Sequence, residues 1–249
     1  MEIFLASLGI FLGEIYGNFV GGGSIVTQFF LQGILGIDIK RAIALDNAAV
    51  LGSELGLMIM LLKNHKFEKY FIWLMIFGIS GALIGSYLLH LIPIVIMEII
   101  FTGILFCFVI YNFIVPSDKN ESTTFVPSRK NILFLGIAIL FVSVYNAFMS
   151  IGDFVIALFI LMYIFHFGYH KSLFIISTVW ILVRSAATYN YIQFGYVDWN
   201  YLIPMFFSAL FAGLIAGYLV QKIHSKYLEQ ALKYLSVILV LYLIVNILF

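Results

Sequence analysis

The chain has 249 residues, of which 63% are hydrophobic and only 10% charged, with a mean hydropathy of +1.11. A soluble domain of this length carries charge on about a quarter of its residues, so lipid has to be the main solvent, and there only helices or closed barrels satisfy the backbone. The net charge of +1 without any basic run gives no sign of a nucleic-acid partner, and the lone Cys107, inside an apolar run, excludes an internal disulfide and supports no cysteine-based metal site.

Apolar runs of about 20 residues, without the alternation of barrel strands, predict membrane helices. Met1-Glu2-Ile3 lacks the positive start of a secretory signal, so the first run is read as part of the mature protein. That run, 3–37, is broken near its middle by Gly21-Gly22-Gly23. Helices are expected over 42–62, 70–91 and 93–115. The polar stretch 116–130, with two prolines, reads as a linker between a first repeat (1–115) and a second (131–249). A second broken run, 131–167, is interrupted at Ser150-Ile151-Gly152-Asp153, and helices follow over 172–192, 201–223 and 228–248. Landmarks recur in order. Gly36 matches Gly168 and Gly81/Gly85 matches Gly213/Gly217 at 132 residues, Glu68 matches Asp198 at 130, and Asn112 matches Asn246 at 134. Such order argues for duplication.

Basic residues decide how the repeats lie. If each broken run folds back as a re-entrant hairpin, Lys63, Lys66, Lys69, Lys119, Arg129, Lys130, Lys171, Lys222, Lys226 and Lys233 share one face. Only Lys40 and Arg41 lie on the other, with Arg184 inside a helix. If the runs cross fully, the basic residues divide evenly. Basic residues collect on the cytoplasmic side. The expected fold is therefore an all-α polytopic membrane protein of two inverted repeats, each a re-entrant broken hairpin plus three transmembrane helices. Both termini would lie outside the cell membrane and the linker in the cytoplasm.

Irregular backbone at the midplane is tolerated only where protein or a water-filled cavity surrounds it. Gly21, Gly22 and Gly23 suit that place, because glycine adopts backbone angles closed to other residues and allows close approach of a ligand. Ser24 would open a short helix whose free N–H groups and positive dipole end make an anion site. The plainer reading is tight helix packing through small residues.

The break Asn18-Phe19-Val20-Gly21-Gly22-Gly23-Ser24, the turn Leu35-Gly36-Ile37 with Ala42 beyond it, the segment Gly195-Tyr196-Val197-Asp198-Trp199 and the small-residue helices at Gly81/Gly85 and Gly213/Gly217 carry a resemblance. Together they resemble the sulfite exporter TauE/SafE family over nearly the whole chain. The resemblance implies a transporter of small anions, often sulfur oxyanions or organosulfonates, across the cytoplasmic membrane. Two departures stand out. The second break keeps only Gly152, followed by Asp153, where the family often has a glycine cluster, and Asp46-Asn47 stands where small or hydroxyl residues are common. Each adds a carboxylate that repels an anion when ionised.

The intramembrane ionisable residues are Glu14, Asp46, Glu54, Glu98, Asp153 and Arg184. Each costs about 2.5–3.5 kcal/mol on insertion scales and is a functional candidate by default. Arg184 is expected either to pair with Glu54 across the halves or to face the substrate. Asp153 is either an N-cap or a proton carrier, with Glu14, Asp46 and Glu54 as further proton-coupling candidates. Glu98 suits a helix start. Asn18, Ser24, Gln28, Asn47, Asn146, Ser150, Ser177 and Thr178 are possible donors to an oxyanion, or else close helix–helix hydrogen bonds. Substrate binding is assigned to Asn18, Gly21, Gly22, Gly23, Ser24, Asn47, Ser150, Gly152 and Arg184. The histidines His65, His90, His166, His170 and His224 fall at helix ends. His166 and His170 are spaced i, i+4 but lack a third ligand, so no metal and no cofactor is expected. The aromatics are expected mostly against lipid or helix partners. No nucleotide loop, Ser/His pair or HExxH motif is present, so the chain is read as no enzyme. The leading reading is a secondary transporter, possibly coupled to protons. A passive channel and a non-transporting scaffold are the alternatives, and a homo-oligomer is compatible with either.

Overall fold

The computed structural model describes residues 1–20, 22–93, 95–96, 125, 127–223 and 227, excluding the side chain of Val20. The helices expected over 93–115 and 228–248, most of the linker, Gly21, Glu98 and His224 lie outside the described residues.

The described chain is helical. α1 (Glu2–Val20) runs to the glycine break. After it, α2 (Gly23–Gln28) continues as a wider π-helical segment, Phe29–Ile34. α3 (Ile39–Leu61) and α4 (Phe71–Leu91) follow. In the second half come α5 (Arg129–Met149), then α6 (Asp153–Phe159) with its own π segment Ile160–Ile164. α7 (Tyr169–Gln193) and α8 (Trp199–Val220) complete it. α3, α4, α5, α7 and α8 are each long and apolar enough to cross a membrane. α3 starts three residues earlier than the sequence suggested, because Asp38 caps it by accepting from the backbone N–H of Lys40 and Arg41.

Each broken run doubles back. α2 lies antiparallel to α1. A Cβ added at Gly17 would stand 2.8 Å from Gly23 Cα, one at Gly13 2.6 Å from the Gly23 carbonyl oxygen, and one at Gly9 2.5 Å from Phe30 Cβ. Only glycine lets two helices approach so closely. In the second hairpin Phe134 meets Phe165 with ring centroids 5.6 Å apart, and Asn146 meets Asp153.

The two hairpins match at 130 residues rather than 132. The left-handed residues before the short helices are Gly22 (φ 76°) and Gly152 (φ 77°). The exit bonds Leu35 N–H to Phe30 O and Ile37 N–H to Leu31 O recur as Phe165 N–H to Ile160 O and Phe167 N–H to Leu161 O. Gly36, at φ 65°, therefore corresponds to His166, at φ 56°, and not to Gly168, which is extended and precedes α7. The larger offset holds for Gly81/Gly85 and Gly213/Gly217 because α7 is two residues longer than α3.

α3 and α7 are the most buried helices and cross antiparallel, with Glu54 beside Arg184 and His65 stacked on Phe174. α8 runs parallel to α3, since Gly52 meets Phe206 and Gly217 meets Met60. α4 runs parallel to α5, with Gly81 against Leu140 and Gly85 against Val144. Glu2 accepts from Tyr201, and Lys40 Nζ donates to the His90 carbonyl. So α1, α3 and α8 begin at one end of the molecule, and α4, α5 and α7 at the other. Outward faces carry large apolar side chains such as Trp73, Ile84, Phe141, Phe207 and Phe211, as a lipid solvent requires.

Candidate functional site

The two breaks meet where α3 crosses α7. Gly22 and Gly152 hold left-handed angles that side chains resist, and these angles turn the starts of α2 and α6 inward. Asp153 is the first residue of α6, so it does not act as the N-cap. That position is Gly152, and no side chain caps the helix. The Asp153 carboxylate points instead into the crossing. Its Oδ2 accepts from Asn146 Nδ2, from Trp180 Nε1 at 2.8 Å and from Arg184 Nη2 at 3.3 Å. Arg184 Nε stands 3.6 Å from Glu54 Oε1. The guanidinium thus sits between one carboxylate from a hairpin and one from α3, and all three side chains are buried. Burying such charges is sustained only by pairing and hydrogen bonding.

Around this triad a polar network ties the halves together. Asn47 Nδ2 donates to the backbone oxygen and Oδ1 of Asn146 at 3.0 and 3.2 Å. Ser150 Oγ donates to Asp46 Oδ2 at 2.8 Å. In the first half Asn18 Nδ2 donates to Ser53 Oγ at 2.8 Å and to the Glu14 carbonyl at 2.7 Å.

Between these groups is a small, partly open cavity. Glu14, Gly17 and Asn18 of α1 line it, with Gly22, Gly23 and Ser24 at the first break. Val50 and Glu54 of α3, Gly152, Asp153 and Phe154 at the second break, and Arg184 of α7 complete the wall. Both hairpins and both central helices contribute. A cavity drawn from four elements around one buried guanidinium can hold an oxyanion by charge and by hydrogen bonds, since guanidinium presents a fork of N–H donors. The three carboxylates on the wall oppose that charge.

A model of the sulfite exporter TauE/SafE family matches residues 5–246. The chain belongs to the sulfite exporter TauE/SafE family. No curated protein and no solved structure matches it. Membership and the five apolar helices make this a multi-pass membrane protein of a transporter family associated with sulfur anions.

The residues singled out in this TauE/SafE sequence divide into three groups. Asn18, Gly22, Gly23, Ser24, Gly152, Arg184, Glu14, Glu54 and Asp153 line the cavity. Asn47, Ser150 and Asp46 lie behind it, in the bonds that join α3 to the second hairpin. Ser177 and Thr178 are turned back onto the Phe174 carbonyl of their own helix, and Gln28 is engaged with Ala42 and Gln32. His166 stands exposed in a left-handed turn while His170 bonds the Val220 carbonyl at 3.1 Å, so the pair shares no helical face. Among the described residues no group of three histidine, cysteine or acidic side chains is placed to hold a metal. Trp180, Ser53 and Val50 escaped the sequence reading. Trp180 lies four residues before Arg184 on α7, one turn along the same face, which was the available signal.

Proposed function

We propose that the chain is a secondary transporter that carries a small sulfur oxyanion or organosulfonate across the cell membrane by alternating access, with proton coupling. The observation that carries this reading is the buried Arg184 in a cavity bounded by both helix breaks. Two inverted repeats, with the substrate held between their hairpins near the midplane, fit the opposed starts of α1 and α5 and the antiparallel crossing of α3 and α7. With the basic residues concentrated at the end where α4, α5 and α7 begin, that end is the cytoplasmic one, the linker 116–130 lies there and the termini lie outside.

Asp153 and Glu54 flank Arg184 on either side. An incoming anion competes for the guanidinium through its remaining N–H groups. The anion's charge weakens the hold of Arg184 on Asp153, and a proton entering the cavity with the anion offsets that loss. Anion entry and proton uptake are linked in this way. Glu14 and Glu54 face the same cavity as Asp153, whereas Asp46 is held by Ser150 behind it. Asn18, Ser24 and the backbone of Gly22, Gly23 and Gly152 complete the anion's surroundings.

Flux into proteoliposomes tests this, with sulfite, sulfate, thiosulfate, sulfonates and carboxylates offered with and without a proton gradient. The expected result is saturable uptake of a sulfur anion that follows the gradient, and loss of that dependence in Asp153→Asn. Uptake that rises linearly with concentration and ignores the gradient would identify a passive pore instead. Absence of flux for every anion from folded protein would end the transporter reading.

A further inference from the structure

The cavity carries two kinds of unsatisfied buried atom. Arg184 Nε and Nη1 are donors without a hydrogen-bond partner among the described residues, and Glu54 Oε2 is an acceptor without one. Arg184 and Glu54 both line the cavity and are only 2% and 3% exposed. The 3.6 Å between Arg184 Nε and Glu54 Oε1 is an ion-pair distance, too long for a hydrogen bond. Asp153 is different, because its Oδ2 already takes three donors. Unpartnered buried polar atoms are costly, and on a cavity wall a ligand can complete their bonding.

From these atoms we infer that the site is built for a zwitterion: a small acid whose oxyanion takes the free Arg184 N–H groups and whose ammonium donates to Glu54 Oε2. The inference rests on the proposal that this cavity binds the transported sulfonate. Charge favours it. With Glu14, Glu54 and Asp153 set against Arg184 alone, carboxyl groups outnumber the guanidinium on the wall. A plain monoanion satisfies the guanidinium but leaves Glu54 Oε2 facing added negative charge. A ligand bearing its own ammonium meets both free groups and adds no net charge to the cavity. A hydroxyl in place of the ammonium still donates one bond, yet it brings no charge to Glu54 or Glu14.

Two probes of nearly equal size isolate the point: 2-aminoethanesulfonate and 2-hydroxyethanesulfonate, which share the sulfonate and differ at the other end. In proteoliposomes holding the full chain, the amino compound is expected to enter at least about tenfold faster, since a site built to pair a group discriminates against the analogue that lacks it. Glu54→Gln, close in shape, is expected to collapse that preference to within about threefold, mainly by slowing the amino compound. Should Glu54→Gln fail to fold, the wild-type ratio still decides the matter and Glu14→Gln provides a second variant, expected to narrow the ratio in the same sense. Equal or faster entry of the hydroxy compound into wild-type vesicles overturns the zwitterion inference and leaves the sulfonate transporter standing. If none of the anions enters, both fall together.

Discussion

Arg184 is the residue on which the described polar core converges. Replacing it with Gln leaves Asp153 and Glu54 as buried carboxylates without a counter-charge, and breaking a buried pair in this way costs about 3–5 kcal/mol. Arg184→Gln is therefore expected to lower the unfolding temperature in detergent and to abolish flux in whatever fraction folds. Unchanged flux from folded variant would remove Arg184 from the mechanism. A subtler case is His65, on the connection after α3, stacked on Phe174 with centroids 5.5 Å apart. Burial first, then the nearby His170 and Lys171, hold its pKa below the usual 6.5. The unfolded chain then takes up this proton before the folded one, so stability is intact above about pH 6.5 and falls between there and the lower folded value. Thermal unfolding of wild type and His65→Gln at pH 7.5 and 5.5 checks the sign: wild type should lose more on acidification. At this scale the sequence disclosed charge better than geometry. Six ionisable residues in apolar runs announced themselves, and Arg184 was placed near Glu54. That the two are true mates, 130 residues apart, needed the hairpin bonds to fix the register. Trp180 stayed hidden because an aromatic side chain in a membrane helix usually faces lipid or a neighbouring helix, and nothing in its residue type says otherwise.

Among the elements, the hairpins depend most on particular residues. A Cβ at Gly17 would lie 2.8 and 2.9 Å from the Cα and N of Gly23, which are backbone atoms that cannot swing aside. Gly17→Ala should therefore separate α1 from α2 at a cost of about 1–3 kcal/mol, as overpacking does, and disturb the cavity that Gly17 lines. Gly168→Ala is the matched control: φ there is −66° and an added Cβ meets nothing within 4 Å, so its unfolding temperature should stay near that of wild type. Similar losses for both would mean that glycine content, rather than this contact, matters. The helices expected over 42–62, 70–91, 172–192 and 201–223 were legible to within a few residues, because apolar length and polar punctuation are what a bilayer dictates. The π segments 29–34 and 160–164 were not. A wider turn depends on one displaced backbone bond per residue and leaves no mark in an apolar pattern.

For the whole molecule, the arrangement of ends constrains what the protein can be. Among the described residues Lys63, Lys66, Lys69, Arg129, Lys130, Lys171 and Lys222 stand at the end where α4, α5 and α7 begin and where α3 and α8 finish. Lys40 and Arg41 stand at the other. The same partition was readable from the sequence once the hairpins were taken as doubling back, because basic residues are costly to translocate. The polar bonds across the halves, Asn47 to Asn146 and Ser150 to Asp46, were not readable, since which donor meets which acceptor depends on helix rotation. Three single-cysteine variants on a Cys107→Ser background test the topology: Glu2→Cys, Arg41→Cys and Arg129→Cys, each at an exposed position. A membrane-impermeant maleimide added to intact cells should label the first two and spare the third until the membrane is opened. Glu2 and Arg41 on the same side means that α1 and α2 together enter and leave by one face. Arg129 on the opposite side means that the second hairpin enters from the other. If Glu2 and Arg41 labelled from opposite sides, the first broken run would cross outright and the two breaks could not share a midplane site. If Arg129 labelled from outside with the others, the repeats would lie parallel, and alternating access about Arg184 would lose the opposed geometry on which it relies.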